Sequence, residues 1–367
     1  MRTLKNILVT GGAGFIGCNF IRFLLEKTDN FSGRIINLDA LTYAGNRMSL
    51  ADIDAKYGVT RGENARYFFE HGDICDRALV ELLFKKYEID TVVHFAAESH
   101  VDRSILGPEA FIKTNVMGTF TLLDVARNAW KDGGNPRNDT LFHHVSTDEV
   151  FGSLGETGYF TETTPYDPRS PYSASKASSD HLALAYSHTY GLPVTLSNCS
   201  NNYGPYQFPE KLIPLMILNM LEGKSLPVYG DGKNIRDWLF VEDHNSAVWT
   251  IMRNGETGQT YNIGGENEWE NIKLLNVLIE IVCAKAKLKS AAVRDTITFV
   301  KDRPGHDRRY AIDCSKIKTC LGWKQAVSFE EGLERTVDWY LENPQWIENI
   351  RSGEYQRWVE KNYGDRG

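Results

Sequence analysis

No stretch of the sequence approaches the ~18 consecutive apolar residues needed to cross a bilayer. The amino terminus, MRTLKNILVTGGAGFIG, runs straight into a strand and a glycine-rich turn. It lacks the charged segment, apolar core and cleavage site of a leader. A cytoplasmic protein without a membrane partner is therefore expected. Basic excess is missing as well: the formal net charge is -7. Nothing offsets a nucleic-acid backbone, so nucleic acid is not an expected partner, although a local arginine cluster could hold one anionic small molecule. The six cysteines are scattered, with no C-x-x-C and no Cys/His cluster. They read as reduced structural thiols, and no metal site is expected. His143 and His144, as strand neighbours, point to opposite faces and make a poor chelate. Gly223-Lys224-Ser225 mimics the end of a phosphate loop, but Leu218 stands where its first glycine belongs.

What is present is an ordinary globular composition over 367 residues, 42% hydrophobic and 24% charged, enough for a dinucleotide-binding domain and a smaller second one. Short apolar runs alternate with amphipathic stretches through the first half. The strands predicted are Asn6–Thr10, Arg34–Asp39, Tyr67–His71, Thr91–Phe95, Leu141–Ser146 and Pro193–Asn198. Helical patterns cover Phe15–Lys27, Arg77–Tyr87, Pro108–Trp130 and Pro171–Tyr190. Such alternation predicts an α/β fold of the Rossmann type, a doubly wound parallel sheet whose ligands gather beyond the carboxyl ends of the strands. After about Ser197 Gly, Pro and Asn become dense (NNYGPYQFPEK, PVYGDGKN, IGGENEWEN, DRPGHDRR). The expected division is a nucleotide-binding domain over 1–197 with a return at about 238–264. A smaller interleaved substrate domain takes 198–237 and 265–367. Trp238–Asn254 reads as strand then helix, rejoining the sheet.

Gly11-Gly12-Ala13-Gly14-Phe15-Ile16-Gly17 follows the first strand and opens a helix. Gly11 permits the tight turn, Gly14 admits a pyrophosphate to the backbone, and Gly17 lets helix and strand pack closely. The helix N-terminus offers free N–H groups and positive dipole to phosphate. Asp39, ending the second strand, suits the two ribose hydroxyls of an adenosine and repels a 2′-phosphate, which selects NAD over NADP. Asp73-Ile74 could bracket the adenine, or Asp73 could cap the helix ahead of Arg77. The small residues of Phe95-Ala96-Ala97-Glu98-Ser99 let a cofactor lie against the backbone.

Tyr172 and Lys176 form Y-x-x-x-K on one face of a helix capped by Ser170 and begun by Pro171. A neighbouring ammonium and a positive nicotinamide would stabilise the phenolate, which points to hydride transfer at a hydroxyl-bearing carbon. Ser146-Thr147 ends the fifth strand, and Asp148-Glu149 follows. Oxidising one carbinol needs only Tyr, Lys and a hydroxyl, so two adjacent carboxyls imply further proton transfers. Their proximity would leave one protonated as acid and one ionised as base.

GGAGFIG, LDALTYAGN, GDICD, AAESHVDRS, STDEVFG, SPYSASKASSDH, NNYGPYQFPEKLIP, DGKNIRDWLFVEDH and DRPGHDRRYAID together resemble the dTDP-glucose 4,6-dehydratases, within the extended short-chain dehydrogenases. The resemblance runs from about Ile7 to SGEYQRWVEKNYG, nearly the whole chain. It departs at Phe151, where a tyrosine is usual, and at Ala55–Ala65, a longer stretch expected as a surface loop. GDP-mannose dehydratases carry a different sequence after the serine.

The resemblance implies that Thr147 hydrogen-bonds the sugar O4, Tyr172 is the base at the C4 hydroxyl, and Lys176 tunes it and holds the nicotinamide ribose. Asp148 is then the acid at the C6 hydroxyl and Glu149 the base at C5. Besides Gly11, Gly14 and Gly17, the implied NAD site comprises Phe15, Ile16, Asp39, Ala40, Leu41, Thr42, Asp73, Ile74, Phe95–Ser99, Thr114, Tyr172, Lys176 and Asn202. Implied substrate contacts are Ser99, Thr147, Asn201, Lys211, Leu212, Pro227, Val228, Tyr229, Arg236 and Asn271. Asp302, Arg303, Pro304, Gly305 and His306 complete them. Arg236 and Arg303 present planar forks suited to a diphosphate. The implied cycle oxidises C4, eliminates water across C5 and C6, and returns hydride to C6. A homodimer packing Pro108–Trp130 and Pro171–Tyr190 is also implied. A nucleotide-sugar epimerase or decarboxylase would share the cofactor turn and Tyr172/Lys176, but the Asp148-Glu149 pair speaks against it. A non-catalytic NAD sensor would more plausibly have lost Tyr172 or Lys176, and both are present.

Overall fold

A computed structural model of the chain describes residues 1–132, 135–137, 139–302 and 306–350. Seven strands make the central sheet: β1 (Asn6–Thr10), β2 (Arg34–Asp39), β3 (Tyr67–His71), β4 (Thr91–His94), β5 (Leu141–Thr147), β6 (Val194–Cys199) and β7 (Thr260–Ile263). Their order is β7-β6-β5-β4-β1-β2-β3, parallel throughout. Helices cover both faces, so the central strands are buried along their length, with the polar residues among them, such as His143, Thr195 and Ser197, hydrogen-bonded to one another. That is why the six predicted strands lie within one residue of their expected ends.

One face carries Phe20, Ile21, Leu24, Trp249 and Met252; the other carries Leu83, Leu122, Ala126 and Trp130. The helices Arg77–Tyr87 and Pro171–Tyr190 have their predicted bounds. Phe15–Arg22 is continued by a wider turn over Phe23–Lys27. Pro108–Trp130 is not one regular helix: Glu109–Phe111 and Thr119–Ala129 flank a widened segment, Ile112–Gly118. There the Asn115 amide leaves the helix surface and bonds Ser175 Oγ at 2.8 Å and the Glu98 backbone.

The second lobe has its own core around Ile213, Leu278, Leu333 and Val337. It is built on the helices Leu212–Leu221, Asn271–Ala286 and Phe329–Glu342. Strand Ile235–Phe240 lies between Asn201–Tyr203 and Glu268–Glu270, not in the central sheet. The chain rejoins that sheet downstream, through helix Val241–Asn254 and then β7, which corrects the reading of Trp238–Asn254. Ala55–Ala65 is likewise not an irregular loop, because Ala51–Tyr57 and Val59–Asn64 are short exposed helices. His143 is buried between Thr195 Oγ1 (2.9 Å) and Ser197 Oγ (3.1 Å), and burial pushes it down to about 3. It is a neutral, satisfied core histidine.

The second lobe's core makes a direct stability prediction. Leu278 is fully buried, so Leu278→Ala should cost about 2–5 kcal/mol. Urea unfolding should show a lower midpoint with unchanged slope. A midpoint equal to the parent's would mean that this helix does not pack as described.

Candidate active site

The carboxyl ends of β1, β2, β4, β5 and β6 and the facing edge of the second lobe enclose one cavity of about 470 Å³, within the usual range for a ligand site. The glycine turn forms one wall. Gly11 has φ +71°, and a Cβ there would lie 2.7 Å from the Ala96 backbone. A Cβ on Gly17 would meet the Gly11 carbonyl oxygen at 2.3 Å, whereas at Gly14 the nearest atom is 3.3 Å away. Strand, helix and the β4 end are thus in backbone contact, and Gly14, the least crowded of the three, lines the cavity. Gly14 is also the N-cap of Phe15–Arg22 without a side-chain cap, so the first N–H groups of that helix remain for a ligand.

Asp39, at the end of β2, accepts N–H bonds from Ala13 and Leu41, each 2.8 Å. Burial raises its carboxyl above the ordinary value despite those bonds. A diol would relieve that desolvation, and a second anion would worsen it. Asp73 lines the cavity with Ile74, while the cap of Arg77–Tyr87 is Asp76, which accepts from Leu79 N at 3.1 Å. Of the two alternatives for Asp73, the capping one is excluded.

β5 delivers Ser146, Thr147, Asp148 and Glu149 to the cavity floor. The facing helix delivers Tyr172 and Lys176; its start is a capping box in which Ser170 Oγ accepts from Ser173 N at 3.0 Å, with Pro171 next. Asp148 is 2% exposed, and its Oδ2 is a buried oxygen without a hydrogen-bond partner. Burial, then Glu149, then Asp237 push its carboxyl far above the ordinary range, with Arg236 opposing. Of the pair, Asp148 is thus the carboxyl whose surroundings most plainly oppose ionisation. Tyr172 departs from expectation. Burial and then Glu149 raise its phenol, opposed by Thr147, and burial lowers the Lys176 ammonium, whose Nζ donates to Val145 O at 2.8 Å. The protein groups alone hold Tyr172 protonated, and only a positive group placed in the cavity would bring it toward neutrality.

On the second lobe's side Arg236 is 5% exposed and held by the carbonyls of Ile235 (2.7 Å) and Asp307 (2.9 Å), with Tyr310 under its guanidinium at 4.2 Å. It is a positioned cavity cation, not a surface ion pair. Tyr229 donates to Asp102 at 3.2 Å and Lys211 to the Ser99 carbonyl at 3.1 Å, joining the lobes.

The residues singled out from sequence line this cavity, with the following exceptions. Leu41 is not part of the wall; it carries φ +49° and uses its N–H to orient Asp39. Asp302 also stands off the wall, bonding His306, which is on it, at 2.6 Å. Arg303, Pro304 and Gly305 lie outside the described residues, as does SGEYQRWVEKNYG. Sequence reasoning missed His100, Asp102, Cys199, Gln207 and Glu210. The first two lie in AAESHVDRS and the last two in NNYGPYQFPEKLIP, so the signal was position within a motif already noticed.

Glu210 meets Tyr43 at 3.1 Å, with Arg103 and His100 at 3.8 and 3.9 Å.

The sheet order, the G-x-x-G-x-x-G turn and the Y-x-x-x-K pair define an extended short-chain dehydrogenase. The family model for GDP-mannose 4,6 dehydratase matches residues 8–336. The dTDP-glucose 4,6-dehydratase 1 of Escherichia coli K12 is 53% identical over 98% of this chain and 99% of its own. A crystal structure of the Bacillus anthracis dTDP-glucose 4,6-dehydratase in complex with NAD is 45% identical, with a TM-score of 0.81, covering 95% of this chain and 100% of that one. A UDP-glucose 4-epimerase from Thermotoga maritima is 28% identical, with a TM-score of 0.79, covering 92% and 99%. The chain belongs to the dTDP-glucose 4,6-dehydratase family.

Burial raises Glu210 from 4.5 to about 7, against the pull of Lys211 and Arg103. A carboxyl raised on folding favours the native state fully below its unfolded value, and that contribution is lost as pH climbs through the folded one. The melting temperature should therefore fall from about pH 5 to about pH 8 more steeply in the parent than in Glu210→Gln. Parallel curves for the two proteins would show that Glu210 does not titrate in this window.

Proposed function

We propose that this enzyme dehydrates dTDP-glucose to dTDP-4-keto-6-deoxyglucose, a hydro-lyase reaction of deoxysugar synthesis, with NAD as a resident cofactor. The observation that carries this reading is the buried Asp148 carboxyl, pushed well above its ordinary range beside Glu149, in one cavity with Thr147, Tyr172 and Lys176. NAD fits the glycine cradle, the uncapped helix end and Asp39; when bound, it takes hydride from C4 and gives it back at C6.

The chain's own groups supply the rest. Thr147 holds the C4 oxygen and Tyr172 takes its proton, with Lys176 alongside. The resulting ketone acidifies the C5 hydrogen. Glu149 removes that proton, and Asp148 gives its own to the C6 hydroxyl, which leaves as water. Glu149 returns a proton to C5 as C6 is reduced. The net redox change is zero. Arg236 receives the diphosphate; Ser99, Asn201, Lys211, Leu212, Pro227–Tyr229, Asn271 and His306 enclose the nucleotide and sugar and exclude water. The lobes serve as an NAD domain over 1–197, with a return at about 238–264, and a substrate domain over the rest. The protein works as a cytoplasmic homodimer through the Pro108–Trp130 and Pro171–Tyr190 helices. An epimerase would share the fold and Tyr172/Lys176, but it has no use for a protonated carboxyl poised over C6.

Incubation with dTDP-glucose should yield the 4-keto-6-deoxy sugar without added oxidant, and denatured protein should release NAD(H). A nucleotide-free preparation that is fully active would contradict a resident cofactor. Asp39→Ala should weaken NAD binding; unchanged affinity would place the adenosine elsewhere.

Asp148→Asn should still reduce bound NAD and exchange the C5 hydrogen with solvent. It should slow dehydration by ~10²–10⁴-fold, because an amide cannot protonate the leaving hydroxyl. Glu149→Gln should stop C5 exchange while C4 oxidation remains. Single-turnover mass spectrometry in D₂O reads both, and dehydration at the parent rate by Asp148→Asn would make the pair structural.

A further inference from the structure

Asp180 is a carboxyl the reaction above does not use, yet it lies fully buried directly behind the catalytic centre. It follows Lys176 by one helical turn on Pro171–Tyr190. Three donors converge on it from two other segments. Ser146 Oγ donates to Oδ2 at 2.7 Å and His144 Nε2 faces Oδ1 at 3.0 Å, both from β5; Tyr166 OH donates to Oδ2 at 3.0 Å from the loop that joins Glu149 to the helix. An isolated buried carboxyl is costly, and even a well-bonded one is often replaceable by apolar packing. Its position suggests what it does. Ser146 immediately precedes Thr147, Asp148 and Glu149, so the bond fixes the strand end carrying those groups to the helix carrying Tyr172 and Lys176.

We infer that Asp180 is a positioning residue of the catalytic centre: it clamps the end of β5 to the turn after Lys176 and places a fixed negative charge behind that ammonium. The inference rests on the catalytic roles proposed for Thr147, Tyr172 and Lys176. The groups facing Asp180 are His144 and Ser146 on β5, Tyr166 on the loop and Lys176 on its own helix. Beyond them the His94 ring lies tilted at 5.3 Å from that of His144, and His181 lies 5.2 Å from Tyr166. Burial keeps His144 and His94 below their ordinary values, so neither supplies the positive charge. Lys176 is left as the cation that Asp180 balances.

The test uses the purified holoenzyme carrying Asp180→Asn, which keeps the shape and removes the charge. Reduction of bound NAD on mixing with dTDP-glucose should slow by about 10- to 100-fold, with KM little changed, because the groups shift relative to one another and not to the nucleotide. The alkaline limb of that rate should move to lower pH, since Lys176 loses its counter-charge. Asp180→Glu should recover part of the rate. Nitrogen-15 NMR of labelled lysine should show Lys176 titrating lower in Asp180→Asn with no substrate present, a readout that survives even if dTDP-glucose proves not to be the substrate. Should Asp180→Asn fail to fold, Tyr166→Phe removes one donor and should give a smaller slowing of the same kind. A variant with a lower melting temperature but the parent's oxidation rate, alkaline limb and Lys176 titration would make Asp180 a structural residue only.

Discussion

Parallel pairing obliges all seven strands to end on the same side of the sheet, and each connection must cross back along a face to begin the next. Every functional group contributed by the first lobe is therefore delivered to one edge. The glycine turn comes from β1, Asp39 from β2, Phe95–Ser99 from β4, and Thr147, Asp148 and Glu149 from β5. The close approach at Gly11 and Gly17 makes that edge concave, because no side chain separates β1, its helix and the β4 end. With all edge N–H groups and carboxyls facing one way, the second lobe needs only to lie across the gap to make a closed site.

Closing the site sets its electrostatics. Asp148, Glu149 and Asp237 converge, and the Arg236 guanidinium stands near enough to oppose their effect on Asp148. Asp237 is anchored as an acceptor by the N–H groups of Gly265 (2.9 Å) and Asn267 (2.7 Å). Among the described residues Asp148 has no such donor on Oδ2, and its carboxyl is pushed well up. The same desolvation raises Tyr172 and lowers Lys176, so burial works against the charged form of each of these three groups. A positive ring above Tyr172 would reverse that balance at one point, coupling the base's readiness to the cofactor's oxidised state.

Local signals carried much of this into the sequence. The strands of the sheet were legible because burial on both faces makes them rich in apolar residues, and helix Pro171–Tyr190 because Ser170 and Pro171 mark its start. The glycine turn and Tyr172/Lys176 were legible because their spacing is the chemistry. What failed was non-local. Ile235–Phe240 has the composition of a central strand, and only its partners, Asn201–Tyr203 and Glu268–Glu270, put it elsewhere. Nothing in sequence shows that Asn115, in the widened part of its helix, bonds Ser175, or that Tyr43 donates to Glu210. Leu41 looked like a cofactor contact because it sits between two, yet its part is to hold Asp39.

The likeness to an epimerase at a TM-score of 0.79 shows how little of the reaction resides in the fold. Sheet, glycine turn and Tyr172/Lys176 provide oxidation at C4, which serves epimerases and dehydratases alike. Eliminating water needs two more proton movements on adjacent carbons, and in the mechanism proposed above they are assigned to the two residues just after Thr147. On the roles proposed above, Thr147 would hold the C4 oxygen and the two carboxyls that follow it in the chain would serve the neighbouring carbons of the same ring. On that reading a single turn of chain at a strand end is what separates a dehydration site from a general oxidation site.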